Sequence, residues 1–396
     1  MTQQVKLTIH DEIKQNAQEV IELRRHFHQH PEPSLKEYET IKTIKQKLDD
    51  LGLEYVSVGE TGALATLKGG KGPGKTILLR ADIDALELED ATGKDYASKN
   101  PGLNHACGHD GHAAALLGAV KVLKNRQEEF AGTIKFAFQQ AEEIGAGARQ
   151  FVQGGFLEEV DQVFGIHVDS SIEVGKLVAT GGATNASCDI FKIKVSGESG
   201  HASRPDLGRD AVLAAASIVV ELQKIVAREI SPLEPVVVGI GALNAGTRYN
   251  IIANQATLEG TVRAFSHEAR ALAVKRVEEI ARDVAKAHRT TITFENYDAA
   301  APLINEKNAT KLAQQVASEI VGSKNVIHDN PKSLGADDFA DFLEIKPGIY
   351  GRVGIRNPEN PETQYSHHHE KFDMDEKGLA LATEYHVRYA LEYLAQ

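Results

Sequence analysis

Between residues 185 and 297, strand-like and helix-like patterns follow one another in an order that constrains the fold more than any other feature. Alternating or wholly apolar stretches, typical of strands, occur at residues 190–195, 236–243, 256–262 and 291–295. Helical periodicity occurs at residues 210–228 and 267–288. The order is β-α-β-β-α-β, that of a ferredoxin-like unit, and its length is that of a separate domain. The sequence therefore predicts an inserted α+β domain at residues 185–297.

The flanking residues 1–184 and 298–396 show a different alternation. Short apolar runs predict strands at residues 64–68, 76–80, 133–138, 162–168 and 348–353. Helical patterns lie between them and near the C-terminus, at residues 311–320 and 379–395. This alternation predicts an α/β domain with a mixed, mainly parallel sheet flanked by helices, interrupted by the insertion. In such sheets functional groups gather beyond the carboxyl ends of the strands.

Composition excludes several classes of protein. The 396 residues carry a formal net charge of -12 and contain no lysine- or arginine-rich block, which argues against nucleic acid and anionic membrane surfaces as partners. The sequence lacks both the apolar core of a signal peptide and an uninterrupted apolar stretch of the ~20 residues that span a membrane, so we expect a cytoplasmic location. Two cysteines are too few for a disulfide framework.

Residues 104–112 concentrate five potential metal-binding or acid/base side chains in front of a helical pattern. Cys107 stands two residues from His105 and two from His109. Thiolate, imidazole and carboxylate groups are the ligands of zinc and similar divalent ions. The segment therefore predicts a metal centre.

Three further features follow predicted strands or lie near the C-terminus: Glu142-Glu143, His167 and the run at residues 367–369. Each has an ordinary alternative, namely a solvated acidic turn, a core histidine and an inert exposed histidine run. Together with Cys107 and His109 they supply enough donors for two ions. One of the two glutamates would then be free to transfer protons.

Two other positions are candidates. Asp82 follows a strand and could orient a histidine ligand, since metal-bound imidazoles usually donate their second N–H to a carboxylate or carbonyl. The alternative is a salt bridge between Arg80 and a neighbouring acid such as Asp84. In the insertion, His201 lies at the tip of the glycine-containing loop 199–205, which is either a functional loop or ordinary surface.

Taken in order, several segments resemble the motifs of the amidohydrolase branch of metallopeptidase family twenty. They are residues 24–32, 80–86, 105–112, 141–143 and 200–202, together with His368 followed by Phe372. The branch includes N-acyl-amino-acid amidohydrolases, hippurate hydrolases and auxin-conjugate hydrolases. The resemblance implies a zinc-peptidase-like catalytic domain and an inserted lid domain. It also implies hydrolysis of N-acyl amino acids or related small amides to a carboxylic acid and a free amino acid.

The resemblance also implies roles for individual residues. The implied metal ligands are Cys107, His109, Glu143, His167 and His368. Glu142 would act as general base and then acid. His201 would stabilise the oxyanion in a partner subunit's site, with a homodimer formed through the lid domain. Asn250 and Arg263 would bind the substrate's carboxylate or acyl oxygen. The cofactors implied are two divalent ions, manganese or zinc, with cobalt or nickel as alternatives.

Two other functions remain open. A dipeptidase or aminopeptidase of the same family would need an acidic group to meet a free α-ammonium, and the sequence does not identify one. An inert metal-binding homologue would not need an uncoordinated acid such as Glu142 beside its ligands. Departures from the family pattern at Gln140, Glu87, Asp206 and Asp337-Asp338 bear on pocket shape, so the acyl group and amino acid preferred are not predicted.

Overall fold

The computed structural model describes residues 7–396. The α-helices in this range are α1 (Ile9–Gln29), α2 (Tyr38–Asp50), α3 (His109–Asn125), α4 (Gly147–Gln153), α5 (Ala211–Leu222), α6 (His267–Ala287), α7 (Lys307–Val321), α8 (Phe339–Ile345) and α9 (Lys377–Leu394). The strands are β1 (Glu54–Val58), β2 (Gly62–Lys68), β3 (Thr76–Asp82), β4 (Thr133–Gln139), β5 (Gln162–Glu173), β6 (Leu177–Val178), β7 (Gly182–Asn185), β8 (Cys188–Ser196), β9 (Gly200–His201), β10 (Val236–Ala245), β11 (Ile251–Ile252), β12 (Gln255–Ala264), β13 (Thr291–Ala300), β14 (Leu303–Asn305), β15 (Val326–Ile327) and β16 (Gly348–Arg356). Over these residues no helix has both the length and the apolar character needed to cross a membrane.

The chain divides into two compact units. The first comprises the described residues up to Gly182 with Ile304–Pro331 and Asp337–Gln396, and the second comprises Ala183–Leu303 with Lys332–Ala336. The sequence predicts boundaries at residues 185 and 297, which would leave residues 332–336 in the flanking domain. That segment joins the second unit because Ser333 bridges to Asn185 and its carbonyl accepts the N–H of Ala186.

The first unit contains an eight-stranded sheet in the order β1-β2-β4-β3-β5-β16-β6-β15. Its centre, β4-β3-β5-β16, is parallel, whereas β1, β2 and β6 add antiparallel pairings at the sides. The predicted mixed sheet with a mainly parallel centre is therefore confirmed. Helix α3 is buried along almost its whole length, which explains why its sequence is apolar on nearly every side.

Parallel pairing brings the candidate residues to one edge of this sheet. Asp82, at the end of β3, lies in register with Gln139 at the end of β4. The next strand, β5, pairs with β3 up to Arg80 and Gly165 and then continues through His167. Since carboxyl ends of parallel strands meet at the same edge, the loops that follow them converge there.

The second unit contains an antiparallel sheet in the order β10-β12-β8-β13, with α5 and α6 packed against it. The strands alternate between buried and more exposed residues, for example along β8, where Phe191, Ile193 and Val195 face the core. The predicted ferredoxin-like order of elements is confirmed.

Candidate metal centre

The first group of possible metal donors lies where α3 begins. Gly108 caps the helix with a left-handed backbone, φ 91°, so that the chain turns sharply between Cys107 and His109. The Sγ of Cys107 is 3.6 Å from the Nε2 of His167 on β5. One donor atom each from Cys107, His109 and His167 lies within 4.8 Å of the others, which is a spacing that one ion can bridge.

A second group shares Cys107 with the first. It consists of Cys107, Glu143 and His368, whose donor atoms also lie within 4.8 Å of one another. The Nε2 of His368 is 3.5 Å from the Oε2 of Glu143, and the backbone N–H of His368 donates to the carbonyl of Ala106 at 2.9 Å. The structure thus brings the five residues named from the motifs into two overlapping groups of three.

The chemistry of these residues fits divalent ions. The Nε2 of His109 and the Oε1 of Glu143 are buried and make no hydrogen bond within residues 7–396. Leaving such an atom unsatisfied costs roughly 1–3 kcal/mol, a cost that coordination to a cation removes. A thiol, three imidazoles and a carboxylate are suitable ligands for zinc, manganese, cobalt or nickel. The site therefore fits a divalent metal.

Asp84 orients the first of these histidines. The Nδ1 of His109 lies 3.0 Å from the carbonyl of Asp84 and 3.2 Å from its Oδ1. The other carboxylate oxygen of Asp84 accepts hydrogen bonds from the hydroxyl of Ser34 at 2.7 Å and from the N–H of Glu143 at 3.0 Å. With Nδ1 occupied in this way, the Nε2 of His109 is directed toward the donor groups.

Asp82, for which the sequence predicts a role in orienting a histidine ligand, has different partners. It accepts a hydrogen bond from Arg80 at 2.5 Å and lies 2.5 Å from the Nδ1 of His112. Its closest approach to His109 is 3.6 Å, at Nε2. The alternative salt bridge with Arg80 therefore involves Asp82, and the contact with His109 involves Asp84. Strand β3 ends at Asp82, so side-chain direction beyond it does not follow from alternation along the strand.

Glu142 lies beside the two donor groups, with Oε2 3.9 Å from the Nε2 of His109. Its side chain is 10% exposed. A carboxylate oxygen of Glu142 lies within 4.8 Å of donor atoms of His109 and Glu143, and Glu142 forms a similar group with Asp337 and Asp338. Burial, together with the charges of Asp337, Glu143 and Asp338, raises the pKa of Glu142 well above its ordinary value. Burial likewise raises the pKa of Glu143 to about 7.

Asp337 and Asp338 lie beside Glu142, and the sequence marks them only as a departure from the family pattern. Asp338 accepts hydrogen bonds from Arg80 at 2.9 Å, from Gln139 at 2.8 Å and from the N–H of Ala148 at 3.0 Å. Burial and the neighbouring Asp337 raise the pKa of Asp338 to about 8, although Arg80 opposes the shift. No local pattern signals this contact, because it joins segments far apart in the chain.

The second unit places two of the proposed substrate-binding residues side by side. His201 on β9 pairs with Ile251 on β11, and the N–H of Ala202 donates to the carbonyl of Asn250 at 3.2 Å. The Oδ1 of Asn250 is buried and has no hydrogen-bond partner within the described part of the chain. Arg263 lies on β12 and donates from a terminal guanidinium nitrogen to the carbonyl of Leu334 at 2.9 Å.

Comparison with known proteins decides the family. The model of peptidase family M20/M25/M40 matches residues 78–392. The chain belongs to this family. N-acetylcysteine deacetylase of Bacillus subtilis is 36% identical to this chain over 374 residues, which cover 94% of this chain and 96% of that protein. Hippurate hydrolase of Campylobacter jejuni is 36% identical to this chain over 375 residues, which cover 94% of this chain and 96% of that protein.

A solved structure leads to the same conclusion. The crystal structure of the YXEP protein of Bacillus subtilis, described as a dinuclear metal-binding peptidase of the M20 family, aligns with a TM-score of 0.85 and 33% identity. The alignment covers 97% of this chain and 99% of that one. Membership of the amidohydrolase branch, predicted from the motifs, is confirmed, and this protein is a metal-dependent hydrolase of amide bonds.

Replacing Gly108 by alanine tests how tightly the start of α3 is packed. An added Cβ would lie 2.4 Å from the Cγ2 of Val168, and the left-handed backbone would also be strained. Gly72 is a matched control, because its φ of 97° is similar but nothing lies within 4 Å of the added atom. We expect Gly72→Ala to lower the free energy of unfolding by ~1–2 kcal/mol through backbone strain alone. Gly108→Ala should lower it by a further ~1–3 kcal/mol because the added methyl group overpacks the site. Thermal unfolding of the metal-free proteins measures the stability of both variants. Equal losses of stability in the two variants would contradict the predicted clash with Val168.

Proposed function

We propose that this protein is a dinuclear metal-dependent amidohydrolase that cleaves N-acyl amino acids into a carboxylic acid and a free amino acid. The observation that carries the proposal is the pair of donor groups that share Cys107, with Glu142 beside them but in neither group. The names of two relatives, N-acetylcysteine deacetylase and hippurate hydrolase, support the substrate class.

The proposed ligands are Cys107, His109, Glu143, His167 and His368. When bound, the two ions supply Lewis-acid polarisation of the scissile carbonyl and lower the pKa of a water molecule. The thiolate favours zinc, whereas the carboxylate and the imidazoles also suit manganese, cobalt or nickel.

Glu142 is the proposed proton carrier. Its position beside His109, outside both Cys107 groups, leaves its carboxylate available to take a proton from the attacking water. The same carboxyl then protonates the leaving nitrogen, which allows the C–N bond to break without expelling an amide anion.

Three residues of the second unit complete the proposal. Asn250 and Arg263 bind the substrate's carboxylate or acyl oxygen, a task that suits arginine because its planar fork can bond both oxygens of a carboxylate. His201 stabilises the oxyanion in the site of a partner subunit. The adjacency of His201 and Asn250 in the second unit supports the proposal that both contact the substrate.

A homodimer formed through the second unit is part of the proposal. Helix α5 is apolar even on its exposed side, where Val212, Ala216 and Val220 recur every fourth residue beside Leu213. Such a stripe on a soluble protein is typical of an interaction surface. Strand β10 is at the edge of its sheet, so it could pair with another strand. We also propose a cytoplasmic location, where a thiol ligand stays reduced.

A charge in the α5 stripe should prevent dimerisation. Val220 is 68% exposed, so Val220→Glu should fold normally and yet sediment as a monomer, because the carboxylate would be desolvated at the interface. The matched control is Val56→Glu on β1 of the first unit, which is 51% exposed and should sediment like the wild type. Sedimentation velocity measures both. A monomeric wild type, or a Val220→Glu protein that remains dimeric, would contradict the proposal.

Metal removal and replacement test the reaction itself. We expect chelator-stripped protein to be inactive and to regain hydrolysis of blocked amino acids, such as N-acetyl and N-benzoyl derivatives, on addition of manganese, zinc, cobalt or nickel. The panel also contains free dipeptides. Activity confined to dipeptides would move the assignment to a peptidase, and metal binding without turnover of any member of the panel would favour an inert homologue.

A further inference from the structure

His112 lies one helical turn after His109 and faces the same site. The two residues are three apart in α3, and their rings stack with centroids 5.5 Å apart. His112 is fully buried, and donor atoms of Asp82, His109 and His112 lie within 4.8 Å of one another, so on type and position alone it is as good a metal ligand as His109.

The two histidines differ in what their nitrogens contact. The Nε2 of His109 has no hydrogen-bond partner within the described residues. In His112, by contrast, Nε2 accepts the backbone N–H of Val168 at 2.9 Å, and Nδ1 lies 2.5 Å from the Oδ1 of Asp82. A backbone N–H can only donate, so the Nε2 of His112 is unprotonated and its Nδ1–H donates to Asp82. Both nitrogens are therefore used by the protein.

The two hydrogen bonds of His112 connect β3 and β5 beyond the point where their backbone pairing ends. The ladder between β3 and β5 runs from Ile77 and Gln162 to Arg80 and Gly165 and stops there. Beyond it, the chain from Asp82 through the imidazole of His112 to the Val168 N–H connects the two strands. On its other side β5 remains paired with β16, where Val168 lies opposite Val353.

The segment held in this way carries a proposed ligand. His167 immediately precedes Val168, and its Nδ1 contacts the carbonyl of Val168 at 2.5 Å. The N–H of Val168 is thus fixed by His112, and its carbonyl fixes the ring of His167. The Nε2 of His167 then faces the Sγ of Cys107 at 3.6 Å.

The carboxylate of Asp82 is held in place by Arg80, and this determines which nitrogen of His112 carries the proton. Arg80, fully buried, donates to Asp82 and also to the hydroxyl of Tyr350 at 3.2 Å and to Asp338 at 2.9 Å. A carboxylate held by a buried guanidinium keeps the proton on the nitrogen that faces it, which leaves the other nitrogen as an acceptor.

We infer that His112 is a positioning residue and not a metal ligand: it bridges Asp82 to the Val168 N–H and thereby fixes the direction in which His167 presents its Nε2. The inference rests on the proposed metal centre, of which His167 is a ligand. Partners of this kind typically affect metal affinity by roughly 10–100-fold.

Two variants separate the contacts of His112. The amide of glutamine reaches the position of Nε2, so His112→Gln keeps an acceptor for the Val168 N–H and loses the contact with Asp82. The amide of asparagine reaches only the position of Nδ1, so His112→Asn keeps the contact with Asp82 and loses Val168. Competition with a chelator measures the affinity for cobalt and the number of ions bound by each full-length protein.

We expect both variants to bind two ions, His112→Asn with affinity roughly 10–100-fold weaker than wild type and His112→Gln with a smaller loss, because it keeps the acceptor for the Val168 N–H but loses Asp82. Loss of one bound ion in both variants would make His112 a ligand. Wild-type affinity in both, or equal weakening in both, would also overturn the inference.

A measurement on the unmodified protein does not depend on how the variants fold. In histidine-labelled wild type, ¹⁵N shifts should show Nδ1–H and an unprotonated Nε2 for His112, unchanged when zinc is added, while the Nε2 signals of His109 and His167 move. A zinc-induced shift at His112, or the opposite tautomer, would overturn the inference. If the wild type bound no divalent ion, the proposed function would fail, whereas the tautomer of His112 would still be read in the metal-free protein.

Discussion

Replacing Glu142 by glutamine is expected to lower kcat by roughly 10²–10⁴-fold, the usual contribution of a general acid–base group. The amide has almost the same shape as the carboxylate but can neither accept the proton of the water nor return it to the leaving nitrogen. Metal content should stay close to wild type, because Glu142 belongs to neither of the donor groups that share Cys107. Turnover of an N-acyl amino acid and elemental analysis of the dialysed protein measure the two effects.

Glu143→Gln is the matched control, since it makes the same chemical change at the adjacent residue. Glu143 belongs to the group with Cys107 and His368, so this variant should lose metal as well as activity. If Glu142→Gln lost metal while Glu143→Gln kept it, the roles of the two glutamates would be the reverse of those proposed. Thermal unfolding of both variants shows whether either loss reflects a failure to fold.

Cys107→Ser is expected to abolish activity through loss of bound metal. Cys107 is the donor common to both groups, and a serine hydroxyl stays protonated near neutral pH and is a poorer ligand for zinc-like ions than a thiolate. The loss of affinity should exceed the roughly 10–100-fold that is typical of partners outside the coordination sphere. Equilibrium dialysis against zinc or manganese, followed by elemental analysis, measures the number of ions retained.

The chain offers a direct control in its second cysteine. Cys188 is buried at the start of β8 in the second unit, and Cys188→Ser should retain both ions and full activity. Burying the new hydroxyl should cost only stability. A Cys107→Ser protein that kept two ions with wild-type affinity would rule out Cys107 as a shared ligand.

The sequence by itself determined the main strands and helices of both units and the residue types of the site, but not short elements such as α4 and α8. The β-α-β-β-α-β order of the second unit was readable because strand and helix periodicity depend on neighbouring residues. The parallel sheet followed from alternating elements, and Cys107 and His109 were recognisable because they lie together in one segment ahead of α3. The family motifs then named Glu143, His167 and His368, which the structure brings together with them.

Only the tertiary structure decided which side chain contacts which. The orienting contact with His109 comes from Asp84, whereas the sequence predicted only that Asp82 could orient a histidine ligand; the regular strand ends at Asp82, so the direction of Asp84 could not be read from the pattern. Asp338 meets Arg80 because α8 and the loop before it pack near the end of β3, although these segments are far apart in sequence. His112 has the side chain of a metal ligand, and only its two hydrogen bonds distinguish it from His109. The type and spacing of residues can be read from a short segment of sequence. The direction of a side chain is set by packing between segments that are distant in the sequence.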